Sequence, residues 1–232
     1  MKIQSTLTLL AAAMLATPLA HAGIIAYTLP GTTEFGSWYD LNNSNYTVED
    51  GYNDFGTNTD GWEDPIAAVD GTTSAVFDKT PGFGGYPASG SIYTFFSPGQ
   101  WSLTNATPVS SIETLVFQID MLDENAVAPE ITLSYNGGTQ ALLADFTGTT
   151  AGDYFFGEDP SSNYMYQWDL SGLGVTSYEL SWNTGLHTAI FEMRTDSGDE
   201  FVQVVPEPSA YATLSGLAIM SFILYRRKRI SQ

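Results

Sequence analysis

The chain has 232 residues and a formal net charge of -19; of its 26 acidic residues all but Glu207 lie between positions 23 and 203, where Lys79 and Arg194 are the only cations. That surplus excludes ordinary nucleic-acid binding, which needs Lys and Arg to displace counterions from phosphate, and disfavours direct adhesion to anionic lipid or polymer unless a divalent cation intervenes. The absence of cysteine removes thiolate nucleophiles, Cys-ligated zinc, iron-sulfur clusters and disulfides together.

Residues 1–22 read as a secretory signal peptide. Lys2 precedes an apolar run from Leu7 to Ala16, Pro18 breaks it, and Ala20-His21-Ala22 puts small residues at both positions a signal peptidase reads, so cleavage is expected before Gly23. His187 is then the only imidazole left, which excludes a multi-histidine metal centre; no Gly-x-Ser-x-Gly elbow, phosphate loop or dinucleotide fingerprint occurs.

Residues 23–203 form one domain dominated by alternating hydrophobicity. Expected strands are Ile24 to Leu29, Phe35 to Leu41, Thr73 to Phe77, Ile92 to Phe96, Leu115 to Met121, Ile131 to Tyr135, Thr139 to Phe146, Tyr164 to Leu170, Tyr178 to Trp182, Thr188 to Met193 and Phe201 to Val205. Asn136-Gly137-Gly138 supplies a hairpin turn. No stretch carries a 3.6-residue stripe, so the fold class is all-β: an antiparallel β-sandwich, with a jelly roll the leading topology and an up-and-down barrel the alternative. Trp168 and Trp182 share their alternating faces with Tyr and Leu, which places them in the core.

The region from Leu41 to Pro65 reads as a long surface loop, and its acids, Asp50, Asp54, Asp60 and Asp64 among them, are the hard oxygen ligands calcium takes. Counted as an EF-hand with Gly61 sixth, however, the first position is Gly56 and the twelfth Ala67, so any calcium site there needs ligands assembled by the fold. Asp120, Asp123 and Glu124 form a second acidic cluster at the end of a strong strand. Trp38 and Trp62 lack an alternating apolar face and are candidates for stacking on a sugar.

Gln118-Ile119-Asp120-Met121-Leu122-Asp123-Glu124 is similar to the strand motif of laminarinase-type jelly-roll glycosidases, but departs from it where chemistry matters. Gln118 stands in the nucleophile's place, and an amide cannot form a glycosyl-enzyme ester. Leu122 lies on the face where a second glutamate belongs.

Residues 204–232 form the tail. Pro206-Glu207-Pro208 precedes sixteen uncharged residues from Ala210 to Tyr225 and then Arg226-Arg227-Lys228-Arg229. As a helix that stretch reaches roughly 24 Å, somewhat short of a hydrocarbon core of about 30 Å, and the basic cluster orients it with the acidic domain outside the cytoplasm. The order of motif, hydrophobic helix and basic end resembles the PEP-CTERM sorting signal of Gram-negative bacteria. The resemblance covers about the last 28 residues. It implies that Pro206, Glu207 and Pro208 are recognised by a membrane-embedded exosortase, that the protein is tethered to the inner membrane with its domain in the periplasm, and that it then passes to the cell surface or extracellular matrix in a bacterium that makes exopolysaccharide.

Together these features lead to an exported, non-enzymatic structural or interaction protein, with signal peptidase and exosortase as processing partners and extracellular polysaccharide as a further partner class. The alternative is a calcium-assisted, lectin-like carbohydrate-binding module, which requires exposed aromatics beside carboxylates. A glycan-active enzyme is a third reading and requires two facing carboxyls in a cleft.

Overall fold

The alternating segments pair into two antiparallel sheets. The computed structural model describes residues 23–42, 62, 65–82, 84–95, 97–109, 111–123, 127–156 and 159–204. Within them run β1 Thr33–Trp38, β2 Ile66–Ala67, β3 Asp70–Gly71, β4 Val76–Lys79, β5 Tyr86–Ala88, β6 Ser91–Tyr93, β7 Gly99–Asn105, β8 Thr114–Leu122, β9 Ile131–Tyr135, β10 Leu142–Leu143, β11 Phe146–Phe156, β12 Asp159–Asp169, β13 Tyr178–Thr184 and β14 Ala189–Gly198. No helix of the described residues is long and apolar enough to cross a membrane.

The larger sheet is ordered β11-β12-β8-β14-β1-β3, with β6 pairing β14 and carrying β5; the smaller is ordered β10-β9-β13-β7-β4-β2. Their apolar faces meet in one core. Phe117 of β8 and Trp182 of β13 lie with ring centroids 5.3 Å apart, Phe77 stacks on Trp182 at 5.8 Å, and Trp62 meets Phe77 edge-on at 5.3 Å. The arrangement is all-β and sandwich-like. Trp168 and Trp182 are buried in it as their alternation requires.

Several boundaries differ from the sequence reading. Strand β7 falls outside the expected set although Trp101 and Leu103 alternate with Gln100, Ser102 and Thr104; it pairs with β13 residue for residue from Gly99 to Asn105. At the turn after β9, Asn136 and Gly137 both have positive φ, 52° and 68°, and Gly138 N donates to Tyr135 O at 2.9 Å. That is the hairpin geometry Asn-Gly favours, and pairing resumes at Leu142 opposite Leu133. Residues 24–29 and 201–204 were expected as strands and are not strands; Val205 lies outside the described residues.

Those two segments decide what the outer face of the larger sheet does. Along β8, Leu115, Phe117, Ile119 and Met121 face the core, yet Val116, Gln118 and Asp120 on the opposite face are also fully buried. The cover is two segments that flank the strands, within residues 23–29 and 200–204. Ile25, Tyr27 and Val204, with Phe146, pack on Val116 and Met165. Gln118 accepts a hydrogen bond from Ile25 N at 2.9 Å and donates to Ile25 O at 2.5 Å, so its carboxamide holds that residue as a neighbouring strand would. Gln167 on β12 does the same for the other segment, donating to Val202 O at 2.5 Å and accepting from Val204 N at 2.9 Å. Thr114 Oγ1 donates to Glu200 O at 2.8 Å and accepts from Val202 N at 3.0 Å.

Truncating Gln118 to Ala leaves the N–H and C=O of Ile25 unpaired beneath a covered face, and the expected cost is about 1–3 kcal/mol. Denaturant unfolding of the purified chain measures it. A change under about 0.5 kcal/mol, the range of ordinary surface substitutions, would mean that residues 24–29 do not rest on β8.

Candidate functional site

On the outer face of the larger sheet, strand register sets Glu192 of β14 opposite Asp120 of β8, and Asp120 opposite Asn163 of β12. Two carboxylates in directly opposed positions repel. A bulge closes over them: the register of β11 on β12 shifts between Ala151 and Phe155, which carries Gly152, Asp153 and Tyr154 across β12 onto β8. There Asp153 N donates to Asp120 Oδ2 at 3.0 Å, Tyr154 N donates to Ser161 Oγ at 3.1 Å, and the Tyr154 hydroxyl donates to Glu192 Oε2 at 3.4 Å. The Tyr154 ring is held by stacking on Phe191, centroids 4.7 Å apart. Position 152 must be glycine for this approach, because a Cβ there would overlap both oxygens of Asp120 and Ser161 Oγ.

The fourth wall is the start of the domain. Asn163 Nδ2 donates to Gly23 O at 3.0 Å, and a Cβ on Gly23 would overlap Asp153 Oδ2. Gly23, Asp120 and Asn163 are all buried.

This pocket is electrostatically unfinished. Asp120 Oδ1 and Asn163 Oδ1 are buried acceptors without a donor. Burial raises the Asp120 pKa, with Asp153 adding to the rise against hydrogen bonds that oppose it. Glu192 is raised by burial and by Asp120, and the Tyr154 hydroxyl is pushed up to about 12 by burial and by Glu192. Other buried acids of the domain are matched. Glu34 accepts from Asn105 Nδ2 at 2.6 Å, Val109 N at 3.2 Å, Ser197 Oγ at 3.3 Å and Thr73 Oγ1 at 3.4 Å, and Asp196 takes a bidentate Arg194 with contacts of 2.7–3.1 Å. That pairing uses one of the domain's two cations, and the other, Lys79, is 3% exposed.

The residues singled out in the sequence divide accordingly. Asp120 and Asp123 do not converge: Asp123 Oδ2 instead accepts from Thr188 Oγ1 at 2.9 Å, and among the described residues no three acidic or histidine side chains are placed to hold a metal. Asp50, Asp54, Asp60, Asp64 and Glu124 lie outside the described residues, as do the signal peptide with Ala20 and Ala22, the motif Pro206, Glu207 and Pro208, the 210–225 helix, and Arg226, Arg227, Lys228 and Arg229. The sugar-stacking expectation for Trp38 and Trp62 is overturned. Trp38 is 0% exposed and donates its indole N–H to Ile66 O at 2.9 Å, while Trp62 is 7% exposed and packed against Phe77 and Trp101. Gln118, in the nucleophile's place of the glycosidase-like motif, faces the covering segment rather than a cleft.

A different aromatic group is open to solvent. Phe95, 40% exposed, sits edge-on to His187 at 5.4 Å and 6.1 Å from Tyr93; the Tyr93 hydroxyl and His187 Nδ1 are 3.0 Å apart. Leu186 beside them is 45% exposed, and Asp123 reaches the same turn through Thr188. Only the alternation of Tyr93 with Ile92 and Thr94 hinted at this cluster, because His187 comes from the far end of the chain. Compared with protein-family models, with characterised proteins and with solved structures, the chain matches none.

The pH response of the acidic pocket follows from its groups: Asp120 from β8, Asp153 and Tyr154 from β11, Glu192 and Arg194 from β14, with neutral Ser161 and Asn163 from β12. A carboxyl whose folded pKa is raised binds its proton more tightly when folded, so its contribution to stability falls as pH rises from the ordinary range near 4 through the raised value. In a chain that retains Ala22, so that the Gly23 nitrogen is an amide, the unfolding midpoint is expected to rise as pH is lowered from 7 to about 5. Asp120→Asn should flatten that slope. Equal slopes in thermal melts of the two chains would remove Asp120 as a source of the dependence.

Proposed function

We propose that this chain is an exported, non-enzymatic structural or interaction protein, tethered to the inner membrane by its tail and delivered by PEP-CTERM-type sorting to the cell surface or extracellular matrix. The observation that supports this reading is that the described residues beside both expected address labels are held to the sandwich. Gly23, the residue expected to become the first after signal-peptide removal, is already engaged through Asn163, and Val204, two residues before Pro206, is engaged through Gln167.

Three further points support it. The strand order fits the jelly roll expected from sequence, since β14 lies between β1 and β8 in one sheet and β13 between β7 and β9 in the other. The face carrying the glycosidase-like strand motif is covered by the two flanking segments, which disfavours glycan hydrolysis there. With Lys79 buried and Arg194 paired to Asp196, the domain presents an anionic exterior, which favours solubility outside the cell and a divalent cation such as calcium as the bridge to anionic polysaccharide.

Fractionation of cells producing the full chain tests the reading. The expected product begins at Gly23, lacks its basic end and is found at the surface or in the medium, whereas a Pro206→Ala/Pro208→Ala variant is retained in the membrane. Full-length protein in the cytoplasm would overturn the proposal.

The exposed group at Phe95 favours a second reading, a lectin-like module that stacks a sugar on Phe95 and Tyr93 with Asp123 and His187 as polar partners. Under it, Phe95→Ala lowers binding to a glycan array by about tenfold, the effect of losing roughly 1.4 kcal/mol; an array on which the wild-type protein binds nothing, with or without calcium, would eliminate it.

A further inference from the structure

Arg194, the cation that reaches Glu192, is committed to Asp196, so the Asp120 side of the acidic pocket has no cation of its own. We propose that this pocket is the seat of the α-ammonium group that Gly23 acquires when the Ala22–Gly23 bond is cut, so that removal of the signal peptide completes the domain. The inference rests on the export reading, which supplies the cut.

Signal peptidase adds water across that peptide bond, leaving a carboxylate on Ala22 and an amine on Gly23. With an ordinary pKa of about 7.7–8.0, the amine takes up a proton at neutral pH. Cleavage thus turns a neutral amide into a cation with three donors at one point of the fold.

Geometry puts that point in the pocket. The Gly23 carbonyl is fixed by Asn163 Nδ2 at 3.0 Å, and the Asp153 carboxylate occupies the space beside its Cα, so standard backbone dimensions place the Gly23 nitrogen within about 5 Å of Asp153 Oδ2. Ile25, two residues on, is held at both backbone groups by Gln118, which fixes the direction of approach. No acceptor among the described residues is paired with the Gly23 nitrogen, while two buried acceptors of the same wall, Asp120 Oδ1 and Asn163 Oδ1, have no donor.

The chemistry selects an ammonium over the alternatives. A metal ion needs several ligands converging on one centre, and among the described residues no group of acids and histidines does so. An Arg or Lys of the domain is not available, since Arg194 is committed to Asp196 and Lys79 lies in the smaller sheet, opposite Trp101. A compact ammonium presents three donors to a site with two empty oxygens, one of Asp120 and one of Asn163, and the Asp153 carboxylate alongside. A bulkier first residue would displace the Asp153 carboxylate from this place, because a Cβ at position 23 would overlap it.

The test uses the exported full chain, with its first residue determined by mass spectrometry. Acylation of the α-amine is then followed against pH in the folded protein and in urea. A docked amine should react at least about tenfold more slowly when folded, and its titration should move above the free value of about 8; burial without an ion pair would move it below that value. Asp120→Asn and Asp153→Asn should each return the rate toward that in urea, and the wild-type comparison stands even if a variant fails to fold. A chain that begins at Gly23 but whose amine reacts equally fast folded and unfolded would sink the docking and leave the export reading intact. A first residue other than Gly23 would overturn both the cleavage position and the docking, and an uncut chain would overturn export itself.

Discussion

The outer face of β8 is buried by segments that flank the strands, within residues 23–29 and 200–204, and most of what is distinctive here depends on that cover. A strand in the middle of a sandwich sheet ordinarily has one dry face and one wet face. Here Gln118 and Gln167 replace the wet face with two side-chain amides, each bonding the N–H and C=O of a passing segment. The N-terminal and C-terminal segments are thereby brought to one side of the larger sheet, on adjacent strands. Anything that changes those two segments acts on β8 and β12 directly.

Covering that face changes what its acids can do. On a solvated sheet, Asp120 and Glu192 would be two unremarkable carboxylates softened by water. Beneath the cover, with Asp153 and Tyr154 folded over them by the β11 bulge, they lose hydration and oppose each other, and both hold their protons more firmly than usual. The domain meets the same difficulty differently elsewhere. Glu34 is buried with four donors and Asp196 with a guanidinium. Burial raises Glu34 and Asp196 as well; what sets Asp120 apart is the one oxygen, Oδ1, that has no donor.

Much of the framework is legible in the sequence because it rests on local periodicity. The alternation of Leu115, Phe117, Ile119 and Met121 fixes β8 and its inward face, and Asn136-Gly137 fixes a hairpin turn through the positive φ both residues accept. What periodicity cannot reveal is the second burial of Val116, Gln118 and Asp120. Their cover comes from Ile25, more than ninety residues earlier, and through hydrogen bonds that leave no hydrophobic stripe. A similar reason misplaces Trp38 and Trp62: Trp62 lies outside any strand and offers no face to read, Trp38 ends β1 without an alternating apolar partner on its face, and both indoles are held by distant elements. The pocket was half visible, since Asp120 stood out as acidic, but its partners Asp153, Asn163 and Glu192 are joined only by a bulge and by register.

The charge distribution limits how the fold can neutralise its buried acids. Between residues 23 and 203 the sequence provides two cations against a large acidic excess, and both are withdrawn from the surface, Lys79 into the core and Arg194 onto Asp196 and the face of Phe35 at 4.5 Å. A domain built this way has no side-chain cation left to neutralise a buried acid, so neutralisation must come from a proton, a metal ion or the chain terminus. Of the three, the proposed terminal ammonium of Gly23 would stand at a fixed position, beside Asp153 and on the residue whose carbonyl Asn163 holds, and under that proposal the cut chain is more stable than the uncut one.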